Sequence, residues 1–265
     1  MTISARLLDA LRRFSLRTAL SSSLIWPMRL WLLNIGLWLD SGQWLGALWR
    51  RPNRAALIAQ TIGSRHQLNH LGNVYALPAK TLSTSQQIEK QVLENSKQFI
   101  HAPDSVEGYC TSGGTEANIF LLWLAPNQMR DRYGQAPVVI TTDLTHYSVA
   151  KAADLLSLDR ISVASNPIDY SFSVEALAIT LEKLARSKQT SIAICLTYGY
   201  SSTGSCDNST AILQLLHRWQ KQHHGHVFAW IDAAGQGLPL LYSKTQLSPF
   251  ASSLIQGFVL DYHKL

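Results

Sequence analysis

The chain is poor in cysteine. Cys110, Cys195 and Cys206 are the only three in 265 residues. That is too few for a disulfide scaffold, and their spacing fits no zinc motif. A reducing, cytoplasmic setting follows. Charge is also sparse, at 15% of residues, yet hydrophobic residues reach 46%, which excludes intrinsic disorder and a fibrous protein. No internal repeat or low-complexity tract is present. The GxGxxG dinucleotide fingerprint is absent, and so is the Gly-Lys-Ser/Thr ending of a Walker loop.

The net charge of +6 is confined to one end. Residues 1–54 hold eight arginines against Asp9 and Asp40, whereas the rest of the chain balances 15 basic with 15 acidic residues. A neutral body without a basic face argues against a nucleic-acid partner. Five of the eight tryptophans, Trp26, Trp31, Trp38, Trp44 and Trp49, also lie in this segment. Its apolar stretch approaches membrane-spanning length, but Pro27, Arg29 and Asn34 interrupt it and Asp40 closes it. Residues 1–60 thus read as a basic, Trp-rich arm. Two readings stand: helices that pack on a core or a partner subunit, or a weak membrane-interface contact through residues 19–49.

The body, residues 61–265, alternates helix and strand. Thr84-Ser85-Gln86-Gln87 reads as a capping box with Thr84 as the cap, opening a helix with Ile88, Val92 and Phe99 on one face. Gly108–Thr111 reads as a short strand and Glu116–Leu124 as a helix. Pro137–Thr142, Thr190–Thr197, His226–Ile231 and Gly257–Leu260 read as strands. His146–Leu156, Val174–Ser187 and Ser209–Gln222 read as the intervening helices. Apolar strands separated by helices predict an α/β fold with a mostly parallel sheet covered on both faces. Ligands of such sheets bind beyond the carboxyl ends of the strands, so the turns there are the places to search.

Five turns carry candidate chemistry. Thr111-Ser112-Gly113-Gly114-Thr115-Glu116 links strand to helix, and its glycines let backbone N–H groups converge at a helix start, a phosphate cradle or simply a tight turn. His146 follows the second strand, either as a surface residue or as a ring that stacks on an aromatic cofactor. Tyr198–Gly204 is rich in hydroxyls and glycine. Asp232 ends an apolar strand, where a carboxylate needs a cationic partner. His263-Lys264 follows the last strand, and a desolvated lysine becomes a nucleophile toward carbonyls. A phosphate cradle, a stacking histidine, an aspartate for a pyridinium nitrogen and a carbonyl-reactive lysine together match what pyridoxal phosphate requires.

The stretches Gly108–Asn118, Thr145–Ala152, Gly199–Asp207, Asp232–Gly237 and His263-Lys264 resemble those of the pyridoxal-phosphate-dependent group II amino acid decarboxylases, most closely the bacterial histidine decarboxylase branch. The resemblance covers roughly residues 70–265. It implies the aspartate-aminotransferase-type fold, a homodimer, and conversion of an L-amino acid to an amine with loss of carbon dioxide. By motif, Lys264 would attach the cofactor, Asp232 would hold the ring nitrogen and His146 would stack on the ring. Gly114 and Thr115 would bind the phosphate with His263 nearby, Ala234 would lie under the ring, and Ser201 would supply a hydroxyl contact. Tyr200-Ser201 stands where the family has two threonines, a bulkier pair that would alter substrate shape or activity. The family continues well beyond the lysine, so the resemblance also implies a large domain incomplete at its C-terminus and a small domain missing. A fragment or disrupted reading frame is the expectation, with half of a split enzyme as another. Other chemistry on the same cofactor, or a remnant without catalysis that associates through its arm, are the alternatives.

Overall fold

The computed structural model describes residues 54–65, 72–241 and 248–264. Most of the arm lies outside these residues, including the tryptophans and the stretch 19–49. The described residues fall into two units. The first holds residues up to Arg65 together with Lys264, and the second spans His66–His263. In the first, α1 runs Arg54–Gly63. No helix among the described residues is long and apolar enough to cross a membrane.

The second unit is built on five parallel strands, β1 Val138–Thr142, β2 Arg160–Val163, β3 Ser191–Thr197, β4 His226–Asp232 and β5 Ile255–Val259, in the order β2-β1-β3-β4-β5. Around it lie α2 Thr84–Phe99, α3 Gly114–Tyr133, α4 Tyr147–Leu155, α5 Val174–Arg186, α6 Ser209–His223 and the short α7 Gly237–Leu241. Side-chain alternation along the strands divides the core in two. Ile192, Ile194, Leu196, Ala229 and Ile231 pack with Leu177, Leu181, Ile212, Leu216 and Trp219 of α5 and α6. Ala193, Cys195, Phe228 and Trp230 pack with Leu122, Ala125 and Met129 of α3 and Val149 and Ala152 of α4. With both faces covered, a continuous apolar strand is stable, as the runs in β1 and β3 require. The α/β class and the parallel sheet expected from the sequence are present.

Several local expectations are corrected. Gly108–Thr111 is not a strand. The Cys110 N–H donates to Glu89 Oε1 (2.9 Å) instead of to a neighbouring strand, and a cavity of about 190 Å³ is lined by Gly108, Tyr109 and Thr111 together with Gly257–Val259 of β5. The cap of α2 is Ser83, one residue before the expected Thr84. Its hydroxyl accepts from Gln86 N–H (3.4 Å) while Gln86 Oε1 accepts from Ser83 N–H (3.0 Å). Helix α3 does not stop at Leu124 but continues through the buried Pro126 to a C-cap at Gly134, whose φ of 67° suits a residue without Cβ. Strand β2 carries no apolar run because it is an edge strand, so the pattern passed over it.

The order places the reversal of strand sequence between β1 and β3. Sheets of this order bind ligands at the carboxyl edge beside such a reversal, and the turns after β1, β3, β4 and β5 all lie on that edge.

Candidate active site

Asp232 is the last residue of β4 and is 5% exposed. Its Oδ2 accepts from Asn118 Nδ2 (2.7 Å) and its Oδ1 from the Ala234 N–H (3.1 Å). Both donors are neutral, and among the described residues no cation forms an ion pair with it. A buried carboxylate left so is a receptor for a cationic group.

His146 sits in the turn between β1 and α4 and is the N-cap of α4. Its Nδ1 accepts from the Ser148 N–H (3.3 Å) and lies 2.7 Å from Ser148 Oγ. Ser148 Oγ in turn accepts from Asn118 Nδ2 (3.1 Å), and Asn118 Oδ1 accepts from Trp230 Nε1 (3.0 Å). Asn118 on α3 therefore joins His146 to Asp232. The sequence singled out both ends of this chain and neither link. The available signals were a polar residue inside the apolar run of α3 and a serine two residues after a helix-capping histidine.

Gly114 opens α3 after Gly113, which has no side chain to cap the helix. A Cβ at Gly114 would lie 3.3 Å from Ala234 Cβ and 3.3 Å from Asp261 Oδ2, so a side chain there would crowd the close approach of this backbone to the Asp232 turn. Thr115 follows on the same half-buried turn. The uncapped first turn of a twenty-residue helix carries the positive end of its dipole. His263 is exposed, with Nε2 3.8 Å from Asp261 Oδ2. Gly114, Ala234 and Asp232 are thus brought together, with Asp261 beside Gly114 and His263 next to Asp261. Lys264 groups with the first unit and is not among the residues that the second unit brings together.

The turn after β3 is clamped to the same loop. Gln236 donates from its backbone N–H to Tyr198 O (3.0 Å) and from Nε2 to Gly204 O (2.9 Å). Gly199 has φ 91°, and a Cβ there would lie 2.8 Å from the Gln236 nitrogen, so both its conformation and its neighbour require glycine. Ser201 is exposed at the tip and makes none of these contacts. Tyr200 is buried instead. Its hydroxyl donates to the Asp207 carboxylate (3.0 Å) and accepts from Thr142 Oγ1 (3.2 Å). Asp207 also accepts from the Thr197 (2.6 Å) and Phe172 (2.7 Å) N–H groups. Burial pushes its carboxyl up to about 6 against the opposing pull of these hydrogen bonds. Burial first, then the Asp207 charge, raises the Tyr200 phenol.

No protein-family model matches the chain. It is 29% identical over 180 residues to an L-2,4-diaminobutyrate decarboxylase of Rhizobium meliloti, covering 67% of this chain and 35% of that protein. It is 32% identical over 156 residues to a histidine decarboxylase of Pseudomonas entomophila, covering 57% and 36%. A tryptophan decarboxylase of Clostridium sporogenes matches at 28% over 170 residues, covering 61% and 39%. The chain spans well under half the length of these curated relatives. They are amino acid decarboxylases of several specificities, and the histidine branch is not singled out among them. Among solved structures, the L-methionine decarboxylase of Streptomyces sp. 590 superposes with a TM-score of 0.72 at 18% identity, covering 83% of this chain and 56% of that one. An Oryza sativa TDC structure with PLP and tryptamine gives 0.64 at 20% identity, covering 80% and 44%. The fold is therefore the aspartate-aminotransferase type, fold type I, of which these structures contain more than this chain does.

Proposed function

We propose that this chain is the cofactor-binding part of a pyridoxal-phosphate-dependent decarboxylase that converts an L-amino acid to an amine. The observation that carries the reading is Asp232, a buried carboxylate at the crevice edge with only neutral donors among the described residues. The residues fit the cofactor. Asp232 would take the ring nitrogen and hold its proton, as an ionised carboxylate does for a cationic partner. The first turn of α3, with Gly113 and Gly114 leaving it uncapped and Thr115 beside them, would bind the phosphate. His146 would lie against the ring face and Ala234 on the other side. On the family motif, Lys264 would carry the covalent attachment, with His263 next to it and Ser201 offering a hydroxyl. Bound there, pyridoxal phosphate supplies the sink for the electron pair left when the carboxylate departs as carbon dioxide.

The relatives act on diaminobutyrate, histidine and tryptophan. The proposed substrate class is accordingly an L-α-amino acid, with histidine as one member. A homodimer is part of the proposal on the family resemblance, and sedimentation of the full chain as a monomer with cofactor bound would remove that part.

The test is direct. The full chain is mixed with pyridoxal phosphate, reduced with borohydride and mapped by mass spectrometry. The expected result is a pyridoxyl group on Lys264 and loss of the visible absorption band in Lys264→Ala. Labelling elsewhere, with the band unchanged in that variant, overturns the assignment. Incubation with amino acids labelled at the carboxyl should release carbon dioxide. A keto acid product would mean transamination instead.

A further inference from the structure

We infer that Trp230, Asn118 and Ser148 form a one-way hydrogen-bond chain that fixes His146 as its Nε2–H tautomer, with Asn118 and Ser148 as positioning residues. The indole nitrogen of Trp230 can only donate, and it lies 3.0 Å from Asn118 Oδ1. That orients the Asn118 amide. Asp232 orients it the same way from the opposite end, because its carboxylate oxygen, 2.7 Å from Nδ2, can only accept while ionised. A flipped amide would set donor against donor at Trp230 and acceptor against acceptor at Asp232, so two neighbours decide the same orientation.

The rest follows by elimination. Asn118 Nδ2 has two protons. One goes to Asp232 and the other to Ser148 Oγ at 3.1 Å. Ser148 therefore accepts there and directs its own proton to His146 Nδ1 at 2.7 Å. The Ser148 backbone N–H, which cannot reverse, also points at Nδ1 from 3.3 Å. With two donors aimed at it, Nδ1 is an acceptor, and the single proton of the neutral ring resides on Nε2. Trp230, Asn118 and Ser148 are each no more than 1% exposed, so water cannot substitute for a missing partner. Because the same Nδ1 caps α4, the chain fixes the ring's direction as well as its proton.

The consequence for catalysis rests on the cofactor reading above. A neutral imidazole presents an uncharged face to a cationic ring, whereas an imidazolium would repel it. The tautomer itself needs no cofactor, and this separates the two claims. The measurement is a long-range proton–nitrogen correlation spectrum of the ¹⁵N-histidine-labelled full chain without cofactor at neutral pH. His146 is assigned as the signal lost in His146→Gln. Wild type should show a pyridine-type shift at Nδ1 and a pyrrole-type shift at Nε2. Ser148→Ala should move both toward the averaged values of free imidazole, and Ser148→Thr, which keeps the hydroxyl, should restore them. A wild-type signal with the proton on Nδ1, or a doubly protonated ring at neutral pH, overturns the inference even if neither Ser148 variant folds. A wild type with the expected tautomer that takes up no pyridoxal phosphate overturns the function and leaves the chain standing.

Discussion

Asp207 and Asp232 lie at the same edge of the sheet, and each is 5% exposed. Their surroundings differ in how completely they are served. Asp207 receives the Thr197 and Phe172 N–H groups and the Tyr200 hydroxyl, which reaches both of its oxygens. Asp232 receives the Asn118 amide and one backbone N–H. A carboxylate has about four lone-pair sites. The first takes three donors from the protein itself, which tie the β3 turn to the loop around Phe172, against two for the second. The second keeps acceptor capacity directed at the crevice. Depth of burial alone therefore does not separate a carboxylate served by the protein from one left open to a ligand, whereas the tally of donors does.

The largest expected effect comes from removing the structural member. Asp207→Ala would leave two backbone N–H groups and a phenol buried without an acceptor, a loss of about 4 kcal/mol. A denaturant midpoint that falls at constant slope measures it. If that variant instead kept its stability and lost cofactor, the roles of the two aspartates would be reversed.

Next is pH. The folded Asp207 carboxyl is raised to about 6 from an unfolded value near 3.8. A raised acid binds its proton more tightly in the native state. Its stabilising contribution is thus fully present below about pH 4 and is lost as pH rises through about 6, a change of about 3 kcal/mol. The stability advantage of wild type over Asp207→Asn should shrink by that amount between pH 4 and pH 7. Parallel curves would mean that Asp207 is not held above its ordinary range.

Asp232→Asn keeps the shape and the bond from Ala234 but removes the charge. Stability should fall by about 2 kcal/mol, because the new amide nitrogen faces Asn118 Nδ2, donor against donor. Affinity for pyridoxal phosphate should fall about 100-fold, the worth of one charge-assisted hydrogen bond in a desolvated site. Equilibrium titration of the visible band checks this, and an unchanged affinity removes Asp232 from the site.

What the sequence disclosed follows the range over which its signals act. Strands β1, β3 and β4 were legible because burial on both faces forces unbroken apolar runs, and Asp232 was legible because a carboxylate interrupts such a run. Strand β2 was not, since an edge strand obeys no such demand. Asn118 lies within the Gly108–Asn118 motif, but its role is invisible in sequence because its partners Ser148 and Asp232 are 30 and 114 residues away. Gly108–Thr111 has strand composition but spends its Cys110 N–H on Glu89, and composition does not reveal that exchange. That Tyr200 rather than Ser201 is the inward residue of its turn depends on Asp207 and Thr142 below it, again a tertiary fact.

Tyr200 gives the smallest and most discriminating test. It departs from the family pattern, and a bulky side chain at the crevice would be expected to reshape the substrate site. The side chain is 2% exposed, and its hydroxyl is engaged between Asp207 and Thr142. Tyr200→Phe removes that hydroxyl and little volume. Asp207 retains its two backbone donors, and Thr142 Oγ1 remains 3.1 Å from Thr145 Oγ1, so the cost should be about 1 kcal/mol of stability. With one donor gone, the Asp207 carboxyl should rise further, and the stability loss should grow from pH 4 to pH 7. Cofactor affinity should be unchanged. The opposite pattern, weaker cofactor binding at undiminished stability, would move Tyr200 from the Asp207 latch to the Asp232 crevice and make the departure from the family pattern a feature of the site.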